Sequence, residues 1–518
     1  VDAVLERPTK IKKGAKVTDK MDFTRRTRIA RSLGFHVTGI APCYPDLKDG
    51  ETSVLGAMKR FLRELPEMDF CLLRRFRSFV RVFVRARLAP LTDEDIPTVE
   101  QWLEESNYPG WRKRELLAVH EELKRIGLDP DKHFKNKCFG KTECYEEFKH
   151  QRWIMSRTDY FKVYSGPLFH AIEKSLFYGP LAEHFIKNVP VNLRAEIIKE
   201  RLYSPGVQYF ATDFSSFEAS FQPELMQACE LQLYRHLASN LTGGPEVVEN
   251  IALALTGKQR CRHRGARAVG TSRMSGDMCT SLGNGFTNLM ILAFAAQENG
   301  WAEFPRMVVE GDDGIGVVDG PLPTPEFYAK LGFIIKLDVH PDVGVAGFCQ
   351  NYFDSDDEHP RNIVDPLKFL GKLGWTTSAA KHGGRRVLLE LARAKAFSLL
   401  FQCPGNPVLD AMAHWLLRST EGSNARFSED WWDKQKMLGF DGTVEQRPVT
   451  YKSRLIVEKL FGLEISSQII MEDYFNSLPS KLVPIDHPLI VAACASRTPD
   501  WVTNWAMSTE TCPAGAAW

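Results

Sequence analysis

The stretch Met307-Val308-Val309-Glu310-Gly311-Asp312-Asp313-Gly314-Ile315-Gly316-Val317-Val318 constrains this chain more than any other. β-Branched residues on both flanks and turn residues between them predict a β-hairpin with Asp312 and Asp313 at its tip. Two like charges at the end of half-buried strands repel each other, which points to a cation held between them, and oxygen ligands suit Mg²⁺. An Asp-Asp pair alone is more often a solvated turn. The chain supplies a contrast in Asp356-Asp357, set in the polar run 354–359 with no strand signal on either side and read as a solvated loop. The residues that accompany the hairpin decide between the two readings.

At 518 residues the chain exceeds one ordinary core, and its length predicts about two to four domains or lobes. With 44% hydrophobic and 25% charged residues it has the composition of a soluble globular protein. No run of 18 apolar residues is present to span a bilayer. The start carries no hydrophobic signal segment, and the absence of an initiator Met predicts a processed or truncated beginning. Eleven scattered cysteines give no zinc-ligand spacing and predict reduced thiols in a cytosolic compartment. The net charge of +1 conceals an asymmetry, because residues 1–90 hold 20 Lys/Arg against 10 Asp/Glu. A basic front suits a polyanionic partner, or is simply a solvated helical face.

Residues 1–50 read as basic and irregular. From Ser53 to Leu88 apolar positions recur at helical spacing, with Arg74, Arg75, Arg77, Arg81 and Arg85 interleaved among Phe76, Phe79, Val80 and Phe83. Ser106 to Gly110 is a turn. Around Lys149, Arg152 and Arg157 the alternation in Gln151–Met155 predicts a strand whose cations face a cavity or solvent. A helix from Leu168 to Ile186 precedes a buried strand, Val207 to Asp213, and Gln222 to Ala238 then reads as helix with Pro223 in its first turn. Lys258, Arg260, Arg262, Arg264 and Arg267 crowd a strand or hairpin that contains no acid. Ser275 to Asn284 opens a long apolar helix. After the hairpin come a helix (Pro325 to Leu331) and a strand (Phe333 to Leu337), then helices from Arg386 onward. There Asn406-Pro407 reads as an N-cap pair and Gly462 as a helix stop.

The centre of the chain therefore reads as an α+β unit, a βαββαβ-type sheet with helices on one face. Asp213 and the hairpin carboxylates can meet at one end of adjacent strands. Three carboxylates so placed can hold two Mg²⁺ or Mn²⁺ ions about 4 Å apart, one activating a hydroxyl and one neutralising a leaving pyrophosphate. Nucleotidyl transfer needs this arrangement.

At these residues the chain resembles the RNA-dependent RNA polymerases of positive-strand RNA viruses, closest to the tombusvirus-like group. Asp213-Phe214-Ser215-Ser216-Phe217-Glu218 resembles the first palm motif, Ser275-Gly276-Asp277-Met278 with Thr280 and Asn284 the second, and Gly311-Asp312-Asp313 the third. Gly332-Phe333 with Lys336 is similar to the fourth, and Phe348-Cys349-Gln350 to the fifth. The resemblance implies that Asp213, Asp312 and Asp313 bind metal, with Lys336 as a general acid or a merely solvated lysine. It implies that Glu218, Ser275, Thr280 and Asn284 sense the ribose, with capping or lining a helix start as the other reading of Ser275 and Thr280. Glu218 departs from the Asp usual at its position. By the same resemblance Lys149, Arg152 and Arg157 grip the incoming triphosphate, Lys258, Arg260, Arg262, Arg264 and Arg267 track RNA, and Ser106 to Gly110 form a template-entry loop.

The implied fold is a right hand: fingers 1–195 with an insertion at 223–268, a palm at 196–222 and 269–375, and a helical thumb from 376 to 518. The implied partners are RNA template and product, ribonucleoside triphosphates and other viral replication proteins. The implied location is the host cytoplasm, at membrane replication complexes reached through another factor. Cys349 reads as a small core residue, and Trp431 and Trp432 as thumb packing or a platform for a nucleotide. A reverse transcriptase shares the carboxylate geometry but has Tyr-x-Asp-Asp where this chain has Glu310-Gly311-Asp312-Asp313. A non-catalytic RNA-binding scaffold would be expected to have lost a carboxylate, and all three are present.

Overall fold

Four strands form the central sheet of the computed structural model, which describes residues 8, 10–18, 27–377, 382–427 and 437–510. They are β1 (Tyr209–Phe214), β2 (Met307–Glu310), β3 (Asp313–Val317) and β4 (Ile335–His340), all antiparallel in the order β2-β3-β1-β4. Glu310 faces Asp313 across the hairpin, Gly314 pairs with Thr212, and Lys336 pairs with Asp213. This register carries Asp213 to the same sheet end as the Gly-Asp-Asp turn. Gly311 takes φ +60°, a left-handed conformation that glycine adopts without a Cβ clash, and so closes the turn.

Both faces of the sheet are covered, which corrects the expectation of helices on one face only. Met307 and Val309 belong to the core around the helix Thr280–Glu298. Val308 and Ile315 point the other way, into a smaller cluster with Ile198 and Leu202 of the helix Arg194–Leu202. Burial on two sides explains why Met307-Val308-Val309 is a continuous apolar run rather than an alternating one. Residues 282–296 are buried throughout, because their helix is enclosed between the sheet and the helix Phe70–Arg87. Phe294 meets Phe76 and Phe79 at ring-centroid distances of 5.3 and 5.5 Å.

The single helix expected from Ser53 to Leu88 is broken. A helix Gly50–Gly56 runs into a π-helical turn, Ala57–Phe61, then an extended stretch through Pro66, and helix resumes at Phe70. Pro66 has no N–H to give and disfavours helical backbone at Leu65. Asp69 caps the new start, its Oδ1 accepting from the backbone N of Cys71 and Leu72. The segment expected as one helix from Gln222 to Ala238 likewise breaks at Cys229. The helix expected from Leu168 to Ile186 spans Asp159–Phe177.

The C-terminal helices Arg385–Gln402, Leu409–Ser419, Tyr451–Phe461, Ile465–Ser477 and Pro488–Arg497 share a second core. Gly462 ends its helix at φ +68° as expected, whereas Asn406 is not a cap, because a turn with Val408 at φ +68° delays the next helix to Leu409. Leu33, Phe35, Val37 and Ile40 bury in this C-terminal core. Trp501 Nε1 donates to Tyr145 O at 2.6 Å, and Phe148 N donates to Asp500 Oδ2 at 2.7 Å, joining the last helices to the segment before residue 150. Asp356 pairs with Lys452 in an exposed loop. Trp431 and Trp432 lie outside the described residues.

Candidate active site

The sheet end that bears Asp213 opens into a cavity of about 850 Å³. Asp213 and Asp312 stand on its lining, facing Lys10, Lys59, Arg60, Arg63, Lys149 and Arg152. The break at Pro66 turns the segment carrying Lys59, Arg60 and Arg63 into this cavity. Reading residues 53–88 as one helix therefore missed all three; the proline in its middle was the available signal.

Burial in the cavity floor pushes the Asp312 carboxyl up to about 6, and Glu218 and Asp213 add to the shift against the pull of Arg60. Asp313 rises to about 7, first through burial and then through the charge of Asp312. Asp313 does not line the cavity and lies on the side of Cys349 and Glu310. Cys349 is not plain core: its Sγ donates to Glu310 Oε2 at 3.8 Å. Arg194 grips the same Glu310 carboxylate through two nitrogens, at 2.5 and 3.3 Å, and so steadies the strand leading into the turn. Glu218 sits at 3.7 Å from Arg60. Lys336 is Asp213's neighbour across the sheet, and its Nζ donates to Asp338 at 2.5 Å, which raises the lysine's pKa.

Asn288 was missed by sequence reasoning. Its Nδ2 donates to Gly311 O at 3.1 Å and to Asp313 O at 3.0 Å, so one amide ties the backbone on both sides of Asp312. Asn284, one helical turn earlier on the same face, is 5% exposed, and its Oδ1 has no hydrogen-bond partner within the protein. The i,i+4 spacing of two asparagines in an otherwise apolar helix was the available signal.

Several expected contacts fall elsewhere. Arg157 is 3% exposed and pairs with buried Asp277 at 3.1 Å. It also donates to the carbonyls of Phe134 and Ala254, so its guanidinium is engaged within the fold, and it does not line the cavity. Ser275 Oγ donates to Trp153 O and accepts from Met155 N, while Thr280 Oγ1 donates to Met274 O. Ser275 thus stitches the loop to the strand Arg152–Arg157, and Thr280 closes the loop on itself. Ser106 ends the helix Val99–Glu105 and Gly110 begins the helix Gly110–Ile126, and neither lines the cavity. Arg260, Arg262 and Arg267 share the exposed face of the hairpin Gln259–His263/Ala266–Gly270, with Lys258 and Arg264 exposed at its ends.

In a comparison against known families, a family model described as RNA dependent RNA polymerase matches residues 53–390. The chain belongs to the RNA-dependent RNA polymerases of positive-strand RNA viruses. The match covers more than half of the 518 residues and includes every cavity carboxylate. No curated protein matches the chain. The polymerase is a nucleotidyltransferase that binds RNA and nucleoside triphosphates, and members of this family generally use divalent metal ions. Among the described residues no helix is long and apolar enough to cross a membrane.

Proposed function

We propose that the polymerase copies viral RNA by two-metal nucleotidyl transfer in the cavity that holds Asp213 and Asp312. The observation that carries this reading is the meeting of these two carboxylates, one at the end of β1 and one in the turn between β2 and β3, opposite six cationic side chains. An all-oxygen donor set whose carboxyls are driven toward neutrality by burial and by one another's charge fits a hard divalent cation. Bound at Asp213 and Asp312, with Asp313 behind them, Mg²⁺ or Mn²⁺ would activate the attacking hydroxyl and neutralise the pyrophosphate.

The chain's own residues position the rest. Lys149 and Arg152 bind the triphosphate from the cavity wall, joined by Lys59, Arg60 and Arg63. Lys336 Nζ, on the strand beside Asp213, is the proton donor to the leaving pyrophosphate. Asn284 presents its amide to the ribose, and Glu218 pairs with Arg60 of the cavity wall. The central sheet and its helices form the palm, and the C-terminal helices that share the second core belong to the thumb. The hairpin bearing Arg260, Arg262 and Arg267 tracks RNA phosphates.

RNA synthesis on a short defined template, with labelled nucleoside triphosphates, with and without primer, tests this reading. Asp312→Asn is expected to abolish incorporation while RNA binding and thermal stability persist. Near wild-type incorporation by that variant would remove Asp312 from the metal site.

A further inference from the structure

A row of arginines runs along the outer face of the helix Phe70–Arg87. The helix contains six Arg, no Lys and no acid. Leu72, Leu73, Phe76, Val80, Phe83 and Val84 are buried, while Arg74, Arg77, Arg81 and Arg85 are exposed. At 100° per residue these four fall within an arc of about 80°, and they extend along about 16 Å of helix. Arg75 pairs with Glu298 at 2.9 Å, and Arg87 lies 6.0 Å from the ring centre of Phe83. Among the described residues no ion-pair partner meets any of the four in the row.

Like charges three or four residues apart destabilise a helix, so this row is not what a merely solvated face needs. The helix Gly110–Ile126 shows such a face in the same protein. There five Lys or Arg are interspersed with Glu115, Glu121 and Glu122, and Arg112–Glu115 and Lys124–Glu121 pair at 2.8 and 2.9 Å.

We propose that the helix Phe70–Arg87 is a second RNA-holding surface, on which Arg74, Arg77, Arg81 and Arg85 contact successive phosphates of a strand outside the catalytic cavity. The proposal rests on the polymerase reading, and none of these residues lines the cavity of Asp213 and Asp312. Guanidinium groups match phosphate oxygens with two parallel hydrogen bonds, which an all-arginine row repeats once per helical turn. Phe70, 62% exposed and one turn before Arg74, offers an aromatic face on which a base can stack. A lipid surface fits less well. The apolar side of the helix is committed to the core, and the exposed Phe70 and Val82 stand about 18 Å apart along the axis, too far to form one inserting patch.

The test uses the full chain and fluorescein-labelled single-stranded RNAs, one of about 30 nucleotides, long enough to leave the cavity, and one of about 8, short enough to stay within it. Joint replacement Arg74→Ala, Arg77→Ala, Arg81→Ala, Arg85→Ala is expected to weaken binding of the long RNA by about ten- to a hundredfold near 0.1 M salt. The slope of log Kd against log salt should fall by about 3, at roughly 0.7 per lost contact. Affinity for the short RNA and incorporation on a short template should stay at the wild-type level, and the corresponding four Lys replacements should restore most of the slope. An unchanged affinity and slope for the long RNA overturns the proposal. So does loss of binding to phosphatidylserine vesicles with RNA binding intact, which would assign the row to lipid phosphates. A measurement on the wild type covers a variant that fails to fold: 4-thiouridine RNA of the long length should cross-link within residues 70–87, and its absence there also overturns the proposal. Incorporation on the short template reads the Asp213–Asp312 site independently, so failure of that site and failure of the row are distinguishable.

Discussion

Asp312 and Asp313 are acids held where their neutral forms are favoured, with carboxyls raised to about 6 and about 7 against an unfolded value near 4. A raised acid binds more protons folded than unfolded, so its contribution to stability is full below pH of about 4 and is lost as pH rises through about 6 to 7. A divalent cation competes with those protons and relieves that loss. The rise in Tm produced by Mg²⁺ or Mn²⁺ is therefore expected to be larger at pH 8 than at pH 6, and smaller in Asp312→Asn. A thermal melt series showing equal increments at both pH values would argue against cation binding here. The two asparagines of the central helix should separate in kinetics. Asn284→Ala is expected to lower the preference for ribo- over deoxyribonucleoside triphosphates by about ten- to a hundredfold, as a hydroxyl loses its partner. Asn288→Ala should lower kcat alike for both sugars, because it releases the turn that carries Asp312. Glu218→Asp should be tolerated where Glu218→Ala is not. Matched incorporation assays decide these outcomes; an unchanged sugar ratio in Asn284→Ala removes it from the ribose site.

At the scale of elements, the strand Arg152–Arg157 shows two arginines with opposite fates. Strand alternation puts Arg157 on the side of buried Trp153 and Met155, whereas Arg152 faces the cavity. Reading parity alone would have told them apart. Arg152→Ala is expected to raise the KM for nucleotides with little change in the denaturation midpoint. Arg157→Ala leaves Asp277 buried without its partner and should destabilise the fold by about 3–5 kcal/mol. Denaturant titration beside steady-state kinetics checks both, and a stable Arg157→Ala variant with a selectively raised KM would return Arg157 to the triphosphate site. Hairpin, long apolar helix and strand β1 were legible because strong periodicity and turn chemistry agree there. The helix through Pro66 was misread because apolar spacing on either side of the proline continues as if unbroken, and only backbone stereochemistry interrupts it.

Across the whole molecule, segments far apart in the sequence are packed together. Trp501, 1% exposed, lies against Gly371 and donates to Tyr145 O, which ties the last helices to the segment that delivers Lys149 and Arg152 to the cavity. Trp501→Ala is expected to cost about 3–5 kcal/mol of stability. It should also reduce RNA synthesis at temperatures where the variant stays folded, as read by denaturation and incorporation together. Full activity with full stability would show the contact to be incidental. Residues of the first 45 bury among the C-terminal helices, an association between distant segments that no local pattern announces. Local signals sufficed for what short-range stereochemistry dictates: the turn that holds Gly311 and Asp312, the strand that carries Asp213, and the apolar helix behind them. Which cations reach those carboxylates, Lys59, Arg60 and Arg63 rather than Arg157, was decided by tertiary packing. Side-chain direction and burial depend on neighbours far along the chain, and a lone cation in sequence reads the same whether it will face a cavity or a buried aspartate.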